Sequence, residues 1–297
     1  MTSRRRFLQA SSLAAGLPLI RASGLLAASE PGEILHPATA PARAGKDPWR
    51  GLKVGMASYS FRKLSVDATI VAIRRVDLHY VSIKDFHLPM KSTTEQRKTV
   101  AARFRDAGIA PVSCGVVSTK NDEANIRQAF EYARDIGVPV IVGNPDPASL
   151  ALVDKFVKEF DIKLAIHNHG PEAAHFKSPY DTWAAIQGHD DRIGLCIDVG
   201  HTARAGVDPA EAIRKCQSRL YDMHFKDIWS AGAKSSSAEV EVGRGVLDIR
   251  GMLVAMLDIK YAGHVHFEHE KDGANPLPGV AESVGYTKGV LSGEPVA

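Results

Sequence analysis

Cysteine is scarce: Cys114, Cys196 and Cys216 are the three in 297 residues. An odd and widely spaced set excludes a disulfide framework, and Cys114 and Cys196 lie inside apolar runs, where a small buried thiol is usual. Long hydrophobic runs are also missing. The longest weakly apolar stretch, Leu8 to Leu26, is interrupted by Gln9, Ser11, Ser12, Arg21 and Ser23, whereas a membrane span needs about 20 mostly apolar residues. No strong charge imbalance exists either. The formal charge is +3, and without Arg4, Arg5, Arg6 and Arg21 it becomes −1. That balance gives no support to nucleic-acid binding. The first strand-like segment, Val54-Gly55-Met56-Ala57-Ser58, does not match the glycine fingerprint of a dinucleotide-binding turn.

What is present is an ordinary globular composition, 44% hydrophobic and 24% charged, long enough for one large domain or two small ones. Residues 1–29 have a basic head, Ser3-Arg4-Arg5-Arg6-Phe7-Leu8-Gln9, a short apolar middle and small residues at Ala27-Ala28-Ser29. That order predicts a cleaved export signal of twin-arginine type and a periplasmic location, with no stable membrane insertion after its removal. Residues 30–50 are rich in Pro, Ala and Gly and predict a linker, leaving 51–297 as the folded domain.

From Leu52 the chain alternates two patterns. Strand-like segments are Lys53–Ser58, Tyr80–Lys84, Ala110–Gly115, Val138–Val142, Lys163–His167, Ile193–Asp198, Leu220–Phe225 and His264–Glu268. Several are nearly all apolar, as strands buried on both faces are. Helical periodicity covers Val66–Val76, Thr93–Ala107, Asn121–Ile136, Ala148–Phe160, Pro179–Ile186, Pro209–Cys216 and Val246–Leu257. Ser178-Pro179 and Asp208-Pro209 are favourable helix starts, and Gly137 a favourable stop. Eight βα units over about 250 residues predict an α/β fold of the (β/α)8 TIM-barrel type, a single domain; a doubly wound open sheet is the alternative.

Four of the strand-like runs end in ionisable side chains. Lys163–Ile166 ends in His167-Asn168-His169, Ile193–Ile197 in Asp198 with His201 three residues on, Leu220–Met223 in His224-Phe225-Lys226-Asp227, and Val265–Phe267 in Glu268-His269-Glu270. Side chains alternate faces along a strand, so His167 with His169, His224 with Lys226, and Glu268 with Glu270 share a face. Polar groups at C-terminal strand ends of a barrel are catalytic by position. Mixed carboxylate and imidazole is a donor set for a divalent ion such as Mn, Co, Zn, Fe or Mg.

These segments resemble the sugar phosphate isomerase/epimerase superfamily with the xylose isomerase-like TIM barrel, which includes ketose 3-epimerases, inosose dehydratases and endonuclease IV. The resemblance spans about Leu52 to Glu270 and is carried by Cys196-Ile197-Asp198-Val199-Gly200-His201, Met223-His224-Phe225-Lys226-Asp227 and Phe267-Glu268-His269-Glu270. It implies one divalent metal held by His167, Asp198, His224 and Glu268. The family usually has Glu-Asn where this chain has His167-Asn168. Only Glu268 then remains of the two glutamates that epimerases of this kind use as opposed acid and base.

The chemistry expected of such a site is proton abstraction beside a carbonyl, with a metal-stabilised enediolate. Glu268, His169, His201 and Lys226 are the catalytic candidates, with Glu270 a further base. Lys84, His87, Asn144 and Arg244 are the substrate candidates. The leading expectation is a metal-dependent isomerase or epimerase acting on a small-molecule sugar or keto-sugar, unphosphorylated if the protein is exported. A lyase or dehydratase eliminating from a keto-glycoside or inosose is the alternative. An endonuclease IV-like nuclease and a metal-free carbohydrate-binding barrel are weaker alternatives. A homo-oligomer is left open.

Overall fold

The computed structural model describes residues 47–232 and 239–293. The predicted export signal and linker residues 30–46 lie outside them. Eight parallel strands close a barrel: β1 (Lys53–Ala57), β2 (Tyr80–Ile83), β3 (Ala110–Thr119), β4 (Val140–Pro145), β5 (Lys163–His167), β6 (Ile193–Asp198), β7 (Leu220–Phe225) and β10 (His264–Phe267). Each pairs with its sequence neighbour among these eight, and β10 closes against β1. A short antiparallel hairpin, β8 (Asp227–Ile228) and β9 (Glu239–Val240), is inserted between β7 and β10.

Helices α1 (Val66–Arg75), α2 (Thr94–Asp106), α3 (Glu123–Ile136), α4 (Leu150–Phe160), α5 (Pro179–Ala185), α6 (Val199–Arg204), α7 (Pro209–Lys215), α8 (Ile249–Asp258) and α9 (Leu277–Gly293) complete the fold. Their starts follow local chemistry. Thr93 with Gln96 and Ser178 with Asp181 form capping boxes, and Asp122 and Asp208 accept N–H groups of the first turn. Gly137 ends α3 at φ 77°, a left-handed conformation that glycine adopts freely.

The two faces of the strands differ chemically. Outward side chains such as Ile83, Ile166, Ile197, Met223 and Val265 are buried under the helices, where Phe104, Phe130, Phe156 and Met256 also pack. Inward side chains are small or polar: Ser82, Ser113, Ala165, Cys196, Asp222 and His266, all buried. Register then sets their heights. Asp198 lies beside His224, His224 beside His266, and His167 beside Cys196. The polar ends of β5, β6, β7 and β10 therefore reach the same rim.

Gly194 permits this packing. A Cβ at that position would fall on the Arg219 carbonyl oxygen and the Tyr221 ring, so β6 could not stay as close to β7. Gly194→Ala is expected to destabilise the protein by about 1–3 kcal/mol, read as a lowered denaturant midpoint; an unchanged midpoint would contradict the tight β6–β7 approach.

Candidate metal centre

His167 is the last residue of β5, Asp198 the last of β6, His224 lies near the end of β7, and Glu268 directly follows β10. One donor atom from each lies within 4.8 Å of the others. His167 Nε2 is 3.0 Å from His224 Nδ1 and 3.4 Å from Asp198 Oδ2. His224 Nδ1 is 3.1 Å from Glu268 Oε2. These are the four positions that the family resemblance implies as ligands.

Local hydrogen bonds hold the rim. Asn168 Oδ1 accepts the Asp198 N–H at 3.0 Å, and its Nδ2 donates to the Asp198 carbonyl and to Thr202 Oγ1. The ends of β5 and β6 are thereby tied together. Asp198 Oδ1 accepts the His201 N–H at 2.8 Å and caps α6. Its other oxygen, Oδ2, is buried without a well-formed hydrogen bond. His224 Nε2 is likewise buried and unpartnered. Buried polar atoms of this kind call for a partner, and a cation suits the carboxylate.

Charge sharpens the case. Lys226 Nζ lies 2.7 Å from Glu268 Oε2, 2.8 Å from Glu270 Oε1 and 3.1 Å from Asp198 Oδ2. Burial alone would discharge the lysine, but Asp198, Glu268 and Glu270 override it and hold its pKa well above the usual range. Burial would also protonate Glu268, yet His224 and Lys226 keep its carboxyl well below the ordinary carboxylate range. Three carboxylates outnumber the Lys226 ammonium, and against the effect of burial Glu268 raises the His224 pKa so that the imidazole also shares their charge; a divalent ion taking the place of any His224 proton would neutralise the cluster. Burial lowers His167 to about 3, so it is the neutral imidazole that ligation requires.

A cavity of about 420 Å³ opens over this cluster, lined among others by Tyr59, Lys84, Ser118, His169, His201 and Glu270. A larger groove of about 830 Å³ lies at the opposite end of the barrel; its lining holds His264 but no carboxylate. Chemistry rather than size selects the former, at the C-terminal strand ends.

The cavity histidines are set as opposite tautomers by their partners. His169 Nδ1 donates to the His167 carbonyl at 3.1 Å, so its Nε2 carries a lone pair. Arg204 Nη1 donates to His201 Nδ1 at 2.9 Å, so its Nε2 carries the proton. Burial lowers the pKa of both, which keeps both rings neutral near pH 7.

Not every candidate from the sequence arrives here. Lys84 does, with its Nζ bound to the Val116 carbonyl at 2.8 Å and Asp85 at 2.9 Å. His87 does not: it is buried beneath the first strand end, its ring held by Ser58, Thr69 and the Phe61 carbonyl. Arg244 points to the surface and forks onto Glu282. Asn144, at the end of β4, is not part of the cavity lining. Placement after a strand was the basis for His87 and Asn144, and likeness to the family's Gly-x-Gly loop that for Arg244; loops after a strand also turn outward.

Two residues have roles that the sequence pattern concealed. Asp227 accepts N–H groups from Ile228, Gly243, Gly245 and Leu247, folding the loop after β9 onto the barrel. Glu239 is buried beside the site, with Oε1 accepting the Glu270 N–H at 2.7 Å and Oε2 lying 3.9 Å from Lys226. The Glu239-Val240-Glu241 alternation was its one signal.

A family model described as the xylose isomerase-like TIM barrel matches residues 76–290. The chain belongs to that family. Inosose dehydratase from Lacticaseibacillus casei is 24% identical over 135 residues, covering 41% of this chain and 45% of that protein. The chain thus aligns with less than half the length of this curated relative. Among solved structures, an L-ribulose 3-epimerase superposes with a TM-score of 0.67 at 17% identity, covering 81% of this chain and 95% of the other. The IOLI protein with a bound zinc atom superposes at 0.69 and 15% identity, covering 81% and 98%. At these identities the structural likenesses establish the barrel.

Burial pushes the Glu239 carboxyl up to about 7. A folded pKa above the unfolded one means stability is full below the ordinary carboxylate range and declines as pH rises toward 7. Glu239→Gln, which mimics the protonated form, is expected to match wild type near pH 4 and to exceed it above pH 7 on the order of 3 kcal/mol. Thermal unfolding at the two pH values checks this; an equal difference at both would contradict it.

Proposed function

We propose that the protein is a divalent-metal-dependent enzyme that removes a proton beside the carbonyl of a keto-sugar or cyclitol and then eliminates a β-oxygen, as a lyase or dehydratase. The observation that carries this is the pair of opposite tautomers at His169 and His201, which both line the cavity with ring centroids 6.0 Å apart. Elimination needs one base for the carbon-bound proton and one acid for the departing oxygen. His169 Nε2 provides the lone pair and His201 Nε2 the proton.

His167, Asp198, His224 and Glu268 fit a divalent cation by their donor types and their spacing. Held there, the ion supplies Lewis-acid polarisation of the substrate carbonyl. Lys226 adds a fixed positive charge beside the oxygen on which negative charge develops. Tyr59 and Lys84 hold the substrate from the far wall. The neutral His167 in place of glutamate removes one of the two acidic groups of a two-glutamate epimerisation, which favours elimination; the inosose dehydratase likeness agrees with it. Both lysines that reach the site are paired with carboxylates, which supports an unphosphorylated substrate, in keeping with the proposed twin-arginine export to the periplasm.

Epimerisation is the second outcome that this pair serves, if His201 returns a proton to the opposite face of the same planar intermediate. Metal-loaded protein incubated in deuterated water with keto-sugars, keto-glycosides and inososes separates the two. The expected product has lost water or an alcohol and gained conjugated ultraviolet absorbance. A product of inverted configuration with one carbon-bound deuterium and no loss of oxygen would overturn elimination in favour of epimerisation.

A further inference from the structure

We propose that Cys196 gives this centre a second, deeper metal position, in which a thiophilic divalent ion is held by Cys196 Sγ, His167 and His224. It rests on assigning the four strand ends to a metal centre. Cys196 precedes Asp198 by two residues on the fully buried β6, so both side chains face the barrel interior. Its register partner on β5 is His167, and that on β7 is Asp222. Donor atoms of His167, Cys196 and His224 lie within 4.8 Å of one another.

The imidazole pair is thus shared between two sets of donors. Carboxylates of Asp198 and Glu268 complete one set toward the cavity, and the thiol completes the other toward the interior. Buried His224 Nε2 has no partner, which leaves the ring a nitrogen for an ion. Around Cys196 pack the apolar Val140, Val142 and Ala165, and the His224 backbone hydrogen-bonds to its sulfur. Of the three cysteines, Cys114 and Cys216 belong to no such group among the described residues.

Ligand softness then decides the position. Manganese and magnesium prefer oxygen, whereas zinc, cobalt and cadmium accept thiolate readily. Binding breaks the Sγ–H bond, releases that proton to water and forms the Sγ–metal bond, with no change of oxidation state. An ion in the lower position moves away from Glu268 and the cavity, so the site discriminates among metals by depth.

The test is a titration of metal-stripped full-length protein with Co²⁺ and with Cd²⁺, followed by absorbance. The expected result is an intense near-ultraviolet sulfur-to-metal charge-transfer band in wild type. It disappears in Cys196→Ser and Cys196→Ala, while the visible cobalt bands persist and Mn²⁺ affinity, read by electron paramagnetic resonance, is unchanged. Cd²⁺ affinity is expected to fall at least about tenfold in both variants. Visible bands of bound cobalt without the charge-transfer band in wild type would overturn the deeper position and leave the four-donor centre standing. A band of equal strength in both variants would overturn it as well. Failure of every ion to bind wild type would overturn both.

Discussion

Buried negative charge at the mouth of a closed barrel is the constraint on which the rest of this structure depends. Strand register turns Asp198 inward, and beyond the end of β10 the Glu268 N–H binds the Phe225 carbonyl and the Glu270 N–H binds Glu239, which brings all three carboxylates together. Removing such charges from water is costly unless they are matched. Lys226 matches part of that charge. A divalent ion would complete it, and the polar interior follows from the same requirement. Asp222 is buried against His266 at 2.7 Å directly beneath the rim, where an apolar layer would serve packing alone.

The His167 position shapes the chemistry above that layer. A glutamate there would add another anion and another acid–base group. Histidine, kept neutral by burial, contributes a donor without charge and cannot act as a second glutamate. In the proposed mechanism acid–base work passes to His169 and His201, whose protons are fixed by a backbone carbonyl and an arginine. Their anchoring is independent of the ion, so the proton inventory of the cavity is set by the fold.

Much of the barrel was legible because its inner strands are short apolar runs with abrupt polar ends. β5, β6 and β7 begin and end at the residues expected from that contrast. β3 runs on to Thr119, beyond the Gly115 at which the apolar pattern weakens. Helix α9 escaped notice, since Pro278, Gly279, Gly285 and Gly289 depress helix propensity; burial of Val280, Ser283, Val284, Thr287 and Leu291 on one face stabilises it regardless. Parity placed the strand-end candidates on one face, and the family resemblance picked His167, Asp198, His224 and Glu268 among them. His87 was misjudged because position after a strand does not reveal which way a loop side chain turns. Glu239 was hidden because its burial depends on a hairpin folded across the rim.

The most direct measurement of the central claim is the metal content of purified protein after loading and dialysis, compared with an Asp198→Ala, Glu268→Ala double variant. A metal centre predicts about one divalent ion per wild-type chain and a large loss in the variant, whose two remaining imidazoles are too few to hold an oxygen-preferring ion such as Mn²⁺. Wild-type protein that retains no Mn²⁺, Co²⁺ or Zn²⁺ would contradict the account.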